Sequence, residues 1–157
     1  IKQVPEKNAS LTISENKCSL EKENVTWVSN ESDNYALEEA LQLKEKHGGE
    51  VVACTMGSDS ARQVLKDAMA KGADRGILLS DSQFDSLNIL SIAKVFASAL
   101  KDESFDLILS GLQSDDQGNS QLGILIAELL GMSHASLVMG TDVLDDNTIM
   151  LVEEPAK

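Results

Sequence analysis

Histidine, cysteine and proline are scarce in this 157-residue chain, at two residues each, and its 13 basic residues are half as many as its 26 acidic ones. Each shortage excludes something. His47 and His134 have no ligand-spaced neighbours, which argues against a zinc site, and neither has a Ser or Cys partner from which a triad is built. Cys18 and Cys54 are far apart in unlike surroundings, one polar and one an apolar strand-like run. They read as free thiols in a reducing compartment rather than as a disulfide. The net charge of -13 repels phosphate backbones and argues against a nucleic-acid binder. No apolar run approaches the roughly 18 residues of a membrane span, and no signal sequence is seen. The phosphate loop GxxxxGK[ST], GxGxxG after a strand and the GxSxG elbow are all lacking. Nothing nominates a nucleophile or a general base, so a binding module is favoured over a hydrolase or a transferase.

What is present is an α/β alternation. The chain has the length of one domain, residues 1–157, and its 42% hydrophobic content suits a globular core. From residue 34 onward helix-period and strand-like segments alternate, the pattern of a three-layer, doubly wound, mainly parallel sheet with helices on its faces. Ala36, Leu37, Ala40, Leu41 and Leu43 mark one face of a helix that stops at Gly48-Gly49. Strand Val51 to Cys54 follows. Ala61, Val64, Leu65, Ala68 and Met69 mark the next helix, with Ser58 or Asp59 placed to cap it and Gly72 to end it. Gly76 to Leu79 reads as a strand and Ser86 to Leu100 as a helix. Asp106 to Ser110 is a continuous apolar run suited to a strand covered on both faces. Residues 120–130, apolar nearly all round, predict a deeply buried helix ending at Gly131. Ser136 to Met139 and Thr148 to Val152 read as further strands, joined by the turn-like Asp145-Asp146-Asn147. The first 33 residues are polar and read as an excursion holding a small hairpin, with Trp27 on its second strand. IKQVP reads as the end of a strand that starts upstream, and EEPAK is a poor domain terminus, so the expectation is a piece of a longer chain.

In an open parallel sheet small ligands sit beyond the carboxyl ends of the strands. Three segments occupy that position: Lys2-Gln3-Val4-Pro5, Thr55-Met56-Gly57-Ser58, and the loop SGLQSDDQGNSQLG at 110–123. They are expected to converge. Gly111 and Gly118 let the backbone approach a ligand closely, and Asn119, Ser120 and Gln121 offer the free N–H groups of a helix start. Such a start carries about half a positive charge and binds phosphate without a lysine. Asp115 or Asp116 then accepts from ribose hydroxyls or simply caps the helix. Plainer readings stand beside these: such loops often merely connect, Met56 is core filler, and Glu38-Glu39 is the solvated side of a helix.

With these residues the chain resembles the beta subunit of an electron-transfer flavoprotein. The resemblance is carried by IKQVP, NYALEEALQLKEKHGGEV, TMG, AKGADRGILLS and DLILSGLQSDD with Gln121 and Gly123 beyond, in order across most of residues 1–132. The stretch from about Glu6 to Val28 is the variable part. The resemblance implies an adenine-nucleotide-binding, Rossmann-like α/β fold and an electron carrier without catalytic residues or a metal. It also implies a structural AMP, and a redox-active FAD held mostly by an alpha subunit in a heterodimer. It further implies that electrons pass from flavin dehydrogenases to a membrane quinone reductase without membrane insertion, in a bacterial or archaeal cytoplasm or, in a eukaryote, the mitochondrial matrix. Carried over by position, the nucleotide contacts are Asn30, Glu31, Ser32 and Asp33, then Met56, then Gly111, Leu112, Gln113, Ser114, Asp115, Asp116, Gln117, Gly118, Asn119, Ser120, Gln121 and Leu122. The chain departs from the family pattern at Asn30-Glu31-Ser32-Asp33, where a proline turn is usual, and at Asp115, Gly118 and Leu122. The family's C-terminal arm, which wraps the alpha subunit, lies beyond these residues. Two rival readings are a bifurcating relative with a second FAD in this site, and a stress-protein-like nucleotide sensor with no flavin partner.

Overall fold

The computed structural model describes residues 1–15, 17, 20–21, 25–145 and 148–153; Cys18 and the turn residues Asp146 and Asn147 lie outside the described residues. Among the described residues the chain is a mixed α/β fold in which three two-stranded sheets are interleaved with four α-helices. Strand β1 (Gln3–Pro5) pairs antiparallel with β2 (Trp27–Ser29), so Trp27 does sit on the second strand of a small antiparallel pair. Helix α1 (Glu31–His47) follows, with Glu31 and Asp33 in its first turn and Lys44, Lys46 and His47 in its last, the arrangement its dipole favours. Strand β3 (Val52–Met56) pairs in parallel with β4 (Arg75–Leu79), and α2 (Arg62–Lys71) is the crossover between them.

The core lies on one face of this parallel pair. Leu37 and Leu41 of α1, Ala53 of β3, Leu65 and Ala68 of α2 and Ala73 form one buried cluster. Ala53 and Thr55 are buried on that face, while Val52, Cys54 and Met56 alternate to the other and are half-buried. Helix α2 ends at Gly72, whose φ of +129° suits only glycine. The expected cap is not formed: Ser58 starts a short 3-10 turn (Asp59–Ala61) with no side-chain capping bond, and Asp59 instead pairs with Arg62.

Helices α3 (Ile89–Leu100) and α4 (Leu122–Leu130) pack on each other. Asn88 caps α3 by accepting from the Ser91 amide, which moves its start three residues beyond Ser86. Two expectations need correction. Helix α4 ends at Gly131 as expected, but only Ile126 is buried, and Ile124 and Leu129 face outward. Among the described residues the run 106–110 belongs to no ladder, and Leu107, Ile108 and Leu109 are half-buried rather than covered. Strand formation needs a neighbour's N–H and C=O groups, and hydropathy alone does not supply them.

The chain closes with an antiparallel hairpin, β5 (Val138–Asp145) and β6 (Thr148–Glu153). It is longer than its sequence pattern predicts and is tied to α1. The Glu39 carboxylate accepts from Thr141 N at 2.8 Å and Thr141 Oγ1 at 2.6 Å, and Lys46 Nζ lies 2.6 Å from Asp142 Oδ1. Glu39 is therefore a docking residue and not merely part of a solvated face.

Candidate functional site

Lys2, Thr55 with Met56, and the loop from Ser110 line one cleft, and Lys2 joins the first segment to the loop. Beside it, Gln3 Nε2 donates to the Ser60 carbonyl at 3.0 Å just beyond the end of β3. On its other flank, Lys2 Nζ reaches Ser114 Oγ at 3.2 Å, Asp116 Oδ1 at 2.6 Å and Gln117 Oε1 at 3.2 Å. The start of α1 forms the floor. Asp33 accepts from the Lys2 main-chain nitrogen at 2.9 Å through Oδ2 and from the Gly111 nitrogen at 2.8 Å through Oδ1. One carboxylate thus clamps two separate backbone segments.

Asn30 completes the clamp from a position 1% exposed. Its Nδ2 donates to the Gln113 carbonyl at 2.9 Å, to Ser32 Oγ at 3.0 Å and to Asp33 Oδ2 at 3.2 Å, and its Oδ1 accepts from the Asp115 nitrogen at 2.9 Å. That use of the side chain explains why Asn30 heads α1 without capping it. Ser32 Oγ also donates to the Gln113 carbonyl, at 2.7 Å. Gly111 is required by space: a Cβ there would fall 2.7 Å from both the Asp33 nitrogen and Asp33 Oδ1. The polar network is nearly closed, which fixes the loop on the helix start.

Further along, the loop folds on itself and then opens. The Gly118 nitrogen donates to the Ser114 carbonyl at 2.9 Å, the Gln117 nitrogen to Asp116 Oδ1 at 2.8 Å, and Ser120 Oγ to Gln113 Oε1 at 3.0 Å. Positive φ at Gly118 (61°) and Ser120 (53°) turns the chain into α4. Gln121 heads that helix without a side-chain cap, and Leu125 N donates back to its carbonyl. Among the described residues, none accepts a hydrogen bond from the main-chain nitrogens of Asn119, Ser120 or Gln121. Those nitrogens therefore remain as unengaged donors just ahead of the first turn of α4.

Charge around the site is arranged in pairs. Asp116 is pushed up by burial, but hydrogen bonds from Lys2 and Ser114, the lysine's charge and the Gln117 N–H outweigh this and hold it below the ordinary carboxylate range. Lys2 is engaged by that carboxylate rather than projecting as a lone cation. Glu31 turns the other way, to Lys7 Nζ at 2.5 Å, and this bond and charge hold its pKa down. It is thus the one residue of the 30–33 group that leaves the site. Met56 and Leu122 line the cleft beside the loop, and Leu112 is exposed. Sequence reasoning placed Lys2 and Thr55 in segments at the mouth of the sheet but gave neither a particular contact. Thr55 is fully buried, and its Oγ1 has no partner among the described residues, so it is an unspent polar group beside the mouth of the cleft. Their partners come from tertiary placement and not from a local motif.

Burial pushes the Cys54 thiol up, with the Ile1 amino group pulling the other way, so it is not the thiolate a nucleophile requires. Among the described residues no cluster of His, Cys, Asp and Glu is arranged to hold a metal ion, and no helix is long and apolar enough to cross a membrane.

The chain matches the family described as the electron transfer flavoprotein domain over residues 18–157. It is 40% identical over 112 residues to the electron transfer flavoprotein subunit beta of Bacillus subtilis, covering 71% of this chain and 44% of that protein. With the subunit of the same name from Clostridium acetobutylicum it shares 35% identity over 151 residues, 96% of this chain and 58% of the relative. With Protein FixA of Azorhizobium caulinodans it shares 36% over 143 residues, 88% and 50% respectively. The chain spans about half the length of these relatives.

Proposed function

The chain belongs to the electron transfer flavoprotein family, and from that membership we propose that it is the nucleotide-binding part of a beta subunit, holding AMP and scaffolding an FAD-bearing alpha subunit. The observation that carries the nucleotide reading is the set of main-chain donors at Asn119, Ser120 and Gln121, at the head of α4 and on a loop clamped by Asn30 and Asp33. A phosphate suits such donors without any lysine, which fits a chain with a net charge of -13. Thr55 Oγ1 is an orphaned buried polar atom at the same mouth, and the Gly111 backbone sits where no side chain is tolerated. These features fit an adenylate.

In this reading Asn30, Ser32 and Asp33 shape the phosphate loop through Gln113, Asp115 and Gly111. The nitrogens of Asn119, Ser120 and Gln121 take the phosphate, while Met56 and Leu122 line the apolar side. Glu31 does not take part. The FAD supplies the electron-accepting chemistry when it is bound; this chain's residues bind and position. The parallel pair β3–β4 with α1 and α2 on one face is the start of the doubly wound sheet such a domain requires. The proposed route runs from flavin dehydrogenases to a quinone reductase in the cytoplasm, where the free thiol of Cys54 is kept reduced.

Chromatography of the small molecules released from the denatured complex tests the proposal. AMP with one FAD is expected. Two FAD, or ATP without flavin, would replace it with a bifurcating carrier or with a nucleotide sensor.

A further inference from the structure

The loop ahead of α4 also holds a chemically labile side chain. Asparagine is among the less durable residues, because the main-chain nitrogen that follows it can attack its amide carbon. Attack needs a side chain free to approach, a following nitrogen that donates to nothing, and a small following residue. Of the described asparagines, Asn8, Asn30, Asn34 and Asn88 each fail a condition. After Asn8, the Ala9 nitrogen is engaged by the Glu6 carbonyl at 2.9 Å. Asn30 is buried and held from both ends of its amide, by Gln113 and by the Asp115 nitrogen. Asn34 lies within α1, where the Tyr35 nitrogen belongs to the helical ladder, and its Oδ1 accepts from Lys71 Nζ at 2.8 Å. Asn88 is occupied in capping α3 and precedes the β-branched Ile89.

Asn119 meets every condition. It is exposed, and among the described residues its side chain has no hydrogen-bond partner. The small residue Ser120 follows, and the Ser120 nitrogen donates to none of the described residues. Neither a helix nor a ladder holds the backbone at this point, and residues on both sides, Gly118 and Ser120, have positive φ. The space alongside is open, since a Cβ at Gly118 would meet nothing nearer than Gln113 Oε1 at 3.9 Å.

From this contrast we propose that Asn119 is a site of spontaneous covalent modification through the Ser120 nitrogen, and that its products close the phosphate site. Ser120 N bonds to Asn119 Cγ, the Cγ–Nδ2 bond breaks, and the proton of the Ser120 N–H leaves with the side-chain nitrogen as ammonia. A five-membered succinimide ring then joins the two residues. One water opens it. Cleavage of the bond from Cγ to the ring nitrogen gives aspartate, and cleavage at the main-chain carbonyl gives isoaspartate. No oxidant, reductant or metal is consumed. Either product places a carboxylate where a neutral amide stood, in a loop that already carries Asp115 and Asp116, and a phosphate is repelled. In isoaspartate the main chain also passes through the former side chain and is one carbon longer, which displaces the nitrogens of Ser120 and Gln121. Closure of the site rests on the nucleotide reading, and so does protection: a phosphate that accepts from Ser120 N occupies the attacking atom.

The test incubates the complex with the proposed alpha subunit, freed of any nucleotide, at pH 8 and 37 °C, alone, with AMP and with adenosine. Peptide mapping with fragmentation then follows each asparagine. Alone, Asn119 is expected to convert at least tenfold faster than Asn30, Asn34 or Asn88 and to yield isoaspartate as well as aspartate. AMP should slow this at least tenfold and adenosine much less, and Asn119→Asp should weaken AMP at least tenfold with little effect on adenosine. Conversion no faster than at the other three, or aspartate without isoaspartate, would overturn the modification site. Conversion through isoaspartate that AMP does not slow would uphold the modification and overturn the phosphate reading instead.

Discussion

Replacing Asp33 by Asn exchanges one carboxylate oxygen for an NH₂ group and changes almost no volume, yet it strikes the point where three chain segments are joined. Oδ1 accepts from Gly111 N at 2.8 Å; Oδ2 accepts from Lys2 N at 2.9 Å and from Asn30 Nδ2 at 3.2 Å. All three partners are donors. An amide in this position has one acceptor, so whichever way it turns, its NH₂ faces an N–H. The less costly orientation points it at Gly111 and keeps the Lys2 and Asn30 bonds, weakened by the loss of charge. A hydrogen bond to a charged group contributes about 1.5–3 kcal/mol, and an N–H left unsatisfied costs a similar amount, giving a destabilisation of about 2–4 kcal/mol. For a chain of this size that corresponds to a fall in Tm of about 5–15 °C. Calorimetry of both forms at pH 7 measures it, with amide exchange at Gly111 as the local readout. A Tm within about 1 °C of the parent, with Gly111 still protected, would refute the view that this carboxylate anchors the loop.

Gly111→Ala should destabilise by about 1–3 kcal/mol or more, since the new methyl meets the main-chain nitrogen of Asp33 and backbone cannot swing aside; urea unfolding checks it, and an unchanged midpoint would mean that the loop stands further from α1. Asp116 has a depressed pKa in the folded chain, so its pairing with Lys2 stabilises fully above the ordinary Asp value of 3.8 and is lost as pH falls through the lower folded value. Accordingly, the Tm difference between parent and Asp116→Asn should be constant from pH 7 to pH 5 and shrink below pH 3.8; a difference that persists in acid contradicts it. Glu39→Ala removes both bonds to Thr141 and should speed amide exchange at Thr141 at least tenfold with little change in the exchange of β3, since the hairpin is held to α1 through this contact and the Lys46–Asp142 pair.

Helices α1 and α2 and the parallel pair between them were legible because their apolar spacing coincides with the face they bury; Leu37, Leu41, Leu65 and Ala68 all enter one cluster. That residues of the segments 2–5, 55–58 and 110–123 line one cleft was legible too, from the rule that loops at the carboxyl ends of parallel strands share one rim. Elsewhere composition misled. The hydrophobic surface of α4 marks a helix but not its depth, and it packs on α3 while leaving Ile124 and Leu129 outside. The 106–110 run has strand hydropathy without a strand's partners. Neither Glu39 nor Lys2 carries a local signature: each matters through a residue about a hundred positions away, and no spacing in one sequence reports that.

The central claim is that peptide nitrogens at the head of α4 hold a nucleotide's phosphate. Its most direct test is the ¹⁵N spectrum of the labelled chain in complex with the proposed alpha subunit, freed of any nucleotide and then titrated with AMP and, separately, with adenosine. The account predicts large downfield amide shifts at Asn119, Ser120 and Gln121 with AMP and much smaller ones with adenosine. Equal responses to the two, or a phosphate effect confined to the Lys2 ammonium, would contradict it.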